Sequence, residues 1–334
     1  MTRVRIPISA FLKMDEQKSE IKEKTKFKER LTKFHDKNYK LLLLLPTILL
    51  IFGFVYMGIF YSQHHDFIIK DVSLTGGTTV TINQAIDINV LSKAISGKLE
   101  SVNIRAVSDL FTNKQIAVTI ETKSDEQLTR AVLEDYLGYK LTDENSSFEF
   151  TGSTLSESFY KQLLIAILIA FALMALVVFI QFKSFIPSIA VISCAFADIF
   201  MTLVVVNLLG MQVSSAGIVA LLMLIGYSVD TDILLTTKAI KRTEGSLNKR
   251  LFESFKTGIT MTLTSLFAVL VALIVVGSFS LILSQIFTIM IIGLSFDIFN
   301  TWITNVSIIK WYVLRKQKKR MGAGTIKNPQ EVLT

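Results

Sequence analysis

The chain reads as a membrane-spanning α-helical bundle of six transmembrane helices with an α+β domain inserted after the first. Three observations predict this. The sequence of 334 residues is 51% hydrophobic, with a mean hydropathy of +0.52, well above a typical soluble domain. Apolar runs long enough to cross a bilayer recur along it. Between the first and second runs lies a polar stretch, residues 62–160, whose pattern alternates strands and helices.

Residues 1–40 form a polar tail with 12 Lys/Arg and 6 Asp/Glu. From Asp15 to Phe34 it has helix-forming composition without Gly or Pro. The first apolar run, 41–61, is too long for a signal-peptide core and reads as a span, with Pro46 in its first turns.

Residues 62–160 reverse the charge balance, with 8 Lys/Arg and 14 Asp/Glu. Val72 to Ile82 reads as a β-rich run interrupted by Gly76-Gly77, and Ile88 to Leu99 as a helix. Val102–Val107 and Gln115–Ile120 alternate apolar and polar residues, with turn residues Asp109 and Asn113 between them, and so predict a hairpin. Ser124 is the expected N-cap of a helix that runs to Leu137. Ser147–Thr151 closes the set as a strand. The order β-α-β-β-α-β is that of a ferredoxin-like sandwich.

Five more spans follow, at about 162–182, 185–209, 213–237, 258–277 and 281–309, so that the five-helix region covers 161–310. The fourth-to-fifth connection carries Lys238, Lys241, Arg242, Lys249, Arg250 and Lys256. The tail 311–334 is also basic. The positive-inside rule therefore places both termini in the cytoplasm and 62–160 outside it. Because the basic residues cluster at span ends, the net charge of +8 points to the lipid bilayer and away from nucleic acid. The single cysteine, Cys194, excludes an intramolecular disulfide, and three histidines form no ligand set. The Gly76-Gly77 pair has no following Lys-Ser/Thr and reads as a turn or bulge. No nucleophile–base set, metal cluster or cofactor signature stands out, so no enzymatic activity is expected.

Four acids fall within spans: Asp198 in the third, Asp230 and Asp232 in the fourth, Asp297 in the sixth. An Asp at the centre of a span costs roughly 2.5–3.5 kcal/mol on insertion scales, so such residues face other helices or a polar pathway. A carboxyl group in low dielectric can take up and release a proton near neutral pH, which points to a proton relay. Asp230 and Asp232 lie about 200° apart on a helix, so at most one faces the pathway. The alternative for Asp232 is hydration, or pairing with Lys256 or Lys238; Lys256 opens the fifth span on the same cytoplasmic side as Asp230 and Asp232 and is the one basic group expected to reach them. A D-I-x-x-T pattern recurs at Asp198, Asp232 and Asp297 and puts Thr202, Thr236 and Thr301 on the acids' faces. Thr257, Thr260 and Thr264 make a hydroxyl stripe on the fifth span, and Asn300, Thr301 and Thr304 continue the polar face of the sixth. For these Thr and Asn residues, helix–helix packing is the commoner use.

One span, a soluble domain and five further spans, with LTGGT at Leu74–Thr78, IGYSVDTD at Ile225–Asp232 and FKTGITMTLTSL at Phe255–Leu266, resemble the SecF family of protein-export membrane subunits. The resemblance covers roughly 41–320. It implies a SecD-like partner, a place beside the Sec translocation channel, translocating polypeptides as substrates and use of the proton gradient. Two positions depart from the bacterial pattern. Asp230-Thr231-Asp232 stands where Asn-Asp is usual, and Lys256 stands where Arg is usual, keeping the charge but not the planar fork. The pattern is closer to archaeal members. The other readings are a proton-driven exporter of small molecules or lipids, against which the short outside links speak, and an assembly factor without ion coupling.

Overall fold

The computed structural model describes residues 41–108, 112, 114–242, 245–277 and 280–322. The expected N-terminal helix, the Asp109 and Asn113 turn positions and the end of the C-terminal tail lie outside them.

Six helices are long and apolar enough to cross a membrane. The first, α1 (Leu44–His64), is apolar on all sides and stops at His65, which takes the left-handed conformation. A two-residue strand β1 (Ile69–Lys70) and a single helical turn α2 (Val72–Thr75) follow. Here the expected β run over 72–82 is corrected. Asp71 caps the turn, accepting from the Ser73 N–H at 2.8 Å, and only Gly77–Ile82 forms a strand, β2. The two glycines explain the break. Both have positive φ, and a Cβ on Gly76 would lie 2.5 Å from the Ser153 Cα, one on Gly77 2.2 Å from the Thr122 carbonyl.

The insert continues with α3 (Ile88–Ile95), β3 (Asn103–Ser108), β4 (Gln115–Thr122), α4 (Glu126–Leu137) and β5 (Ser146–Thr151). The sheet runs β3-β4-β2-β5 with every neighbour antiparallel. One face carries Val80, Ile82, Val118 and Ile120, buried against Leu91, Ile95 and Leu133 of the two helices. The N-cap of α4 is Asp125, which accepts from the Leu128 N–H, and not Ser124. Ser124 is buried and accepts instead from the Glu100 N–H, joining two loops.

The second span begins before the expected boundary. α5 (Ser153–Phe182) starts one residue after β5, with Gly152 between them. At 30 residues it is about 45 Å long against a hydrocarbon core of about 30 Å. Its first turns therefore extend past the core and pack under the insert, where the Tyr160 hydroxyl donates to Asp66 at 2.9 Å. The remaining helices are α6 (Phe185–Leu208), α7 (Ser215–Ile240), α8 (Leu247–Val276) and α9 (Leu281–Phe299). A π-helical segment, Asn300–Asn305, joins α9 to α10 (Val306–Gly322). Between α6 and α7 lies β6 (Gln212–Val213), which pairs in parallel with β1.

α6, α7 and α9 form the buried centre. Gly293 of α9 lets α7 come close, since a Cβ there would meet Leu224 at 2.3 Å. Small residues permit this kind of approach between membrane helices.

Candidate functional site

The centre of this three-helix packing is polar. Asp198 (α6), Asp232 (α7) and Asp297 (α9) are each 0% exposed. Ser228, one turn before Asp232, donates to Asp198 Oδ2 at 2.5 Å, and Asn300 donates to its Oδ1 at 2.6 Å. Asp232 Oδ1 accepts from Thr301 at 2.9 Å and from Asn305 at 2.7 Å. Thr301 also lies 3.2 Å from Asp297 Oδ1. The second oxygens of Asp232 and Asp297 and the Thr236 hydroxyl are buried without a hydrogen-bond partner.

The π segment makes this arrangement possible. On an α-helix Asn300 and Asn305 would stand about 140° apart. The wider turn, bonding i to i+5, brings both toward the acids, with Thr301 between them. Each carboxylate is thus met by neutral hydroxyl and amide donors. No ion pair involves these three acids among the described residues.

The structure brings together Asp198, Asp232, Asp297, Asn300 and Thr301; Thr236 is buried one turn after Asp232, but its hydroxyl bonds none of them. It does not bring in Asp230, Lys256, Thr260 or Thr264, all of which are exposed. Asp230 falls on the opposite face of α7, as its angular offset from Asp232 requires. Lys256 forms no ion pair with the acids, and Lys238 donates to the Thr257 hydroxyl at 3.1 Å, so neither pairs with Asp232. Thr260 and Thr264 donate to carbonyls of their own helix, at Lys256 and Thr260. Of the three D-I-x-x-T matches, only Asp297–Thr301 joins carboxyl to hydroxyl; Thr202 bonds the Asp198 backbone carbonyl. Ser228 and Asn305 were not among the expected residues. Their signal was spacing: Ser228 stands four before Asp232, and Asn305 eight after Asp297.

The chemistry comes from donor counting. The Thr301 hydroxyl has one hydrogen and two carboxyl neighbours, so it satisfies one of them at a time. A proton on the other carboxyl would complete the set. An ionised carboxylate only accepts, whereas a protonated one also donates, so gain or loss of one proton reverses a bond inside the cluster.

Comparison with known proteins agrees with this architecture. Residues 133–315 match the family described as protein export membrane protein SecD/SecF, C-terminal. The chain is 37% identical over 292 residues to the protein-export membrane protein SecF of Methanocaldococcus jannaschii, covering 85% of this chain and 99% of that one. It is 36% identical to SecF of Methanolacinia petrolearia over 279 residues, covering 83% and 92%. It is 32% identical to SecF of Pyrococcus furiosus over 295 residues, covering 87% and 97%. Among solved structures, the crystal structure of SecDF from Thermus thermophilus, a translocon-associated membrane protein, superposes with a TM-score of 0.65 at 17% identity. That match covers 83% of this chain and 38% of that longer one, and shows the shared fold. The chain belongs to the SecF proteins of the SecD/SecF family.

Proposed function

We infer that the protein is an accessory subunit of the Sec protein-export machinery. It acts without catalysis of its own, beside a SecD-like partner and the translocation channel, to promote movement of polypeptides across the cell membrane. Membership of the SecF proteins supports the export role, and the spans covered by archaeal relatives support a multi-pass membrane location. The insert is read as a ferredoxin-like domain outside the cytoplasm. Its strand order and all-antiparallel pairing support the topology, and the basic fourth-to-fifth connection supports the orientation.

The observation that carries the mechanism is the set of three buried acids on three helices, met only by neutral donors. Proton uptake there changes which group donates, and so changes the preferred packing of α6, α7 and α9. Intramembrane acids of this kind mark ion pathways. The test is export of a reporter protein in cells whose only copy carries Asp198→Asn, Asp232→Asn or Asp297→Asn. Each variant is expected to slow export about tenfold, equivalent to ~1.4 kcal/mol in the barrier. Wild-type export by the triple variant would remove ion coupling and leave a role in assembly.

A further inference from the structure

The three acid-bearing helices meet the insert at one short turn. α6 ends at Leu208, α7 starts at Ser215, and the turn between them contains β6. α9 grips the same turn. Gln285, 8% exposed, donates through Nε2 to the Gln212 carbonyl, and its Oε1 accepts from the Ser214 N–H at 3.1 Å and from the Ser214 hydroxyl. Gly217 leaves the room for this, since a Cβ there would lie 3.1 Å from Gln285 Oε1.

The insert holds the other side of the turn. Asn103 of β3 donates through Nδ2 to Gln212 Oε1 at 2.8 Å and to Glu121 Oε2 of β4 at 3.1 Å. The Asp71 N–H donates to the Val213 carbonyl at 3.1 Å, and the Ser215 N–H donates to the Ser73 hydroxyl at 2.9 Å. One run of contacts therefore passes through Gln285, Gln212, Asn103 and Glu121, from a span to the insert's sheet.

We propose that Gln285 and Asn103 are positioning residues that pass a displacement of the acid-bearing helices to the insert through the Gln212–Ser214 turn. This rests on the reading of the acid cluster given above. Gln285 and Asp297 lie on one continuous helix, about 18 Å apart along its axis, and move together as a rod. A hydrogen bond is lost once its partners separate beyond about 3.5 Å, so a shift of about half an ångström in α9 carries the Ser214 N–H contact, at 3.1 Å, past that limit. On this proposal the made and the broken contact are the two arrangements that transmission between sites requires.

The test is hydrogen exchange on the full chain in lipid nanodiscs, together with the export assay. Asp297→Asn is expected to change exchange at 69–75, at 212–215 and in β3 by about tenfold, the scale of one buried hydrogen bond. With Asn103→Ala and Gln285→Leu added, the change in β3 should vanish, while β2 keeps its protection as the control for folding. Asn103→Asp, which keeps the shape but loses the donor, should give the same result if the double variant does not fold. A β3 response to Asp297→Asn that persists in these backgrounds, or is missing from the parent, overturns the proposal. Export separates the two readings. Normal export by the Asn103/Gln285 variant with slow export by the acid variants sinks this proposal alone, whereas normal export by the acid variants sinks both.

Discussion

Thr301 illustrates how much one atom can decide: its single hydrogen lies between two buried carboxyls. Asn305 is the other donor to Asp232, at 2.7 Å. Asn305→Ala is expected to lower stability by about 1–2 kcal/mol, since the buried Asp232 carboxyl loses one of its two donors, measured by thermal unfolding in detergent. Thr264→Val should stay within about 0.5 kcal/mol, because that exposed hydroxyl bonds only its own helix. The contrast also shows what was legible at this scale. Asp198, Asp232 and Asp297 announced themselves by the cost of a charge in an apolar run. Asp230 carried the same signal but points away, because hydropathy records composition and not angle. The stripe Thr257, Thr260, Thr264 misled for another reason. A helical Thr can satisfy its hydroxyl on the carbonyl four residues back, so spacing alone implies no partner. Lys256 was chosen because it opens the fifth span on the acids' cytoplasmic side, and the exposed helix face it occupies decided otherwise.

Among the elements, β4 and the turn at Asp71 show how burial couples the insert to pH. Burial raises the pKa of Glu121, with Arg105 opposing and Asp71 adding to it, and burial also raises that of Asp71. The folded chain then holds protons that the unfolded chain has already released. Stability from these groups is full below the ordinary carboxylate range and is lost as pH rises through the raised values. Exchange protection of β4, corrected for intrinsic rates, should therefore fall as pH rises above the ordinary carboxylate range, and Glu121→Gln should flatten that fall. An unchanged slope in the variant would assign the dependence elsewhere. The strands β3 and β4 could be read from alternation, and both insert helices from their composition, although the cap of α4 fell one residue later than expected. The first turns of α5 could not, since STLSESFY is polar enough to look like loop while its backbone continues the span. The π segment was equally hidden, because a wide turn leaves no mark in hydropathy.

At the scale of the whole molecule, the centre is closed and two outer spans are bare. α6 and α7 bury much of their length, whereas Leu168 and Leu173 of α5 and Phe267 and Ile274 of α8 remain exposed to lipid or to a partner helix. Copurification of the tagged protein from its native membrane in mild detergent is expected to recover a SecD-like membrane protein. Recovery of the chain alone would count against that partnership. The six-span plan with one inserted domain was the most legible feature of all, since it depends on run length and charge, which a sequence states directly. The π segment has one more consequence, best put as phase. Every residue added to a helix rotates the downstream chain by about 100°. Ile309 and Val313 of α10 are buried against Ala190 and Leu235 only because Asn300–Asn305 takes up the turn that it does. Removing one residue there would swing that face away from α6 and α7 without changing any side chain that makes the contact. In this stretch the count of residues carries structural information of its own, and no substitution could restore it.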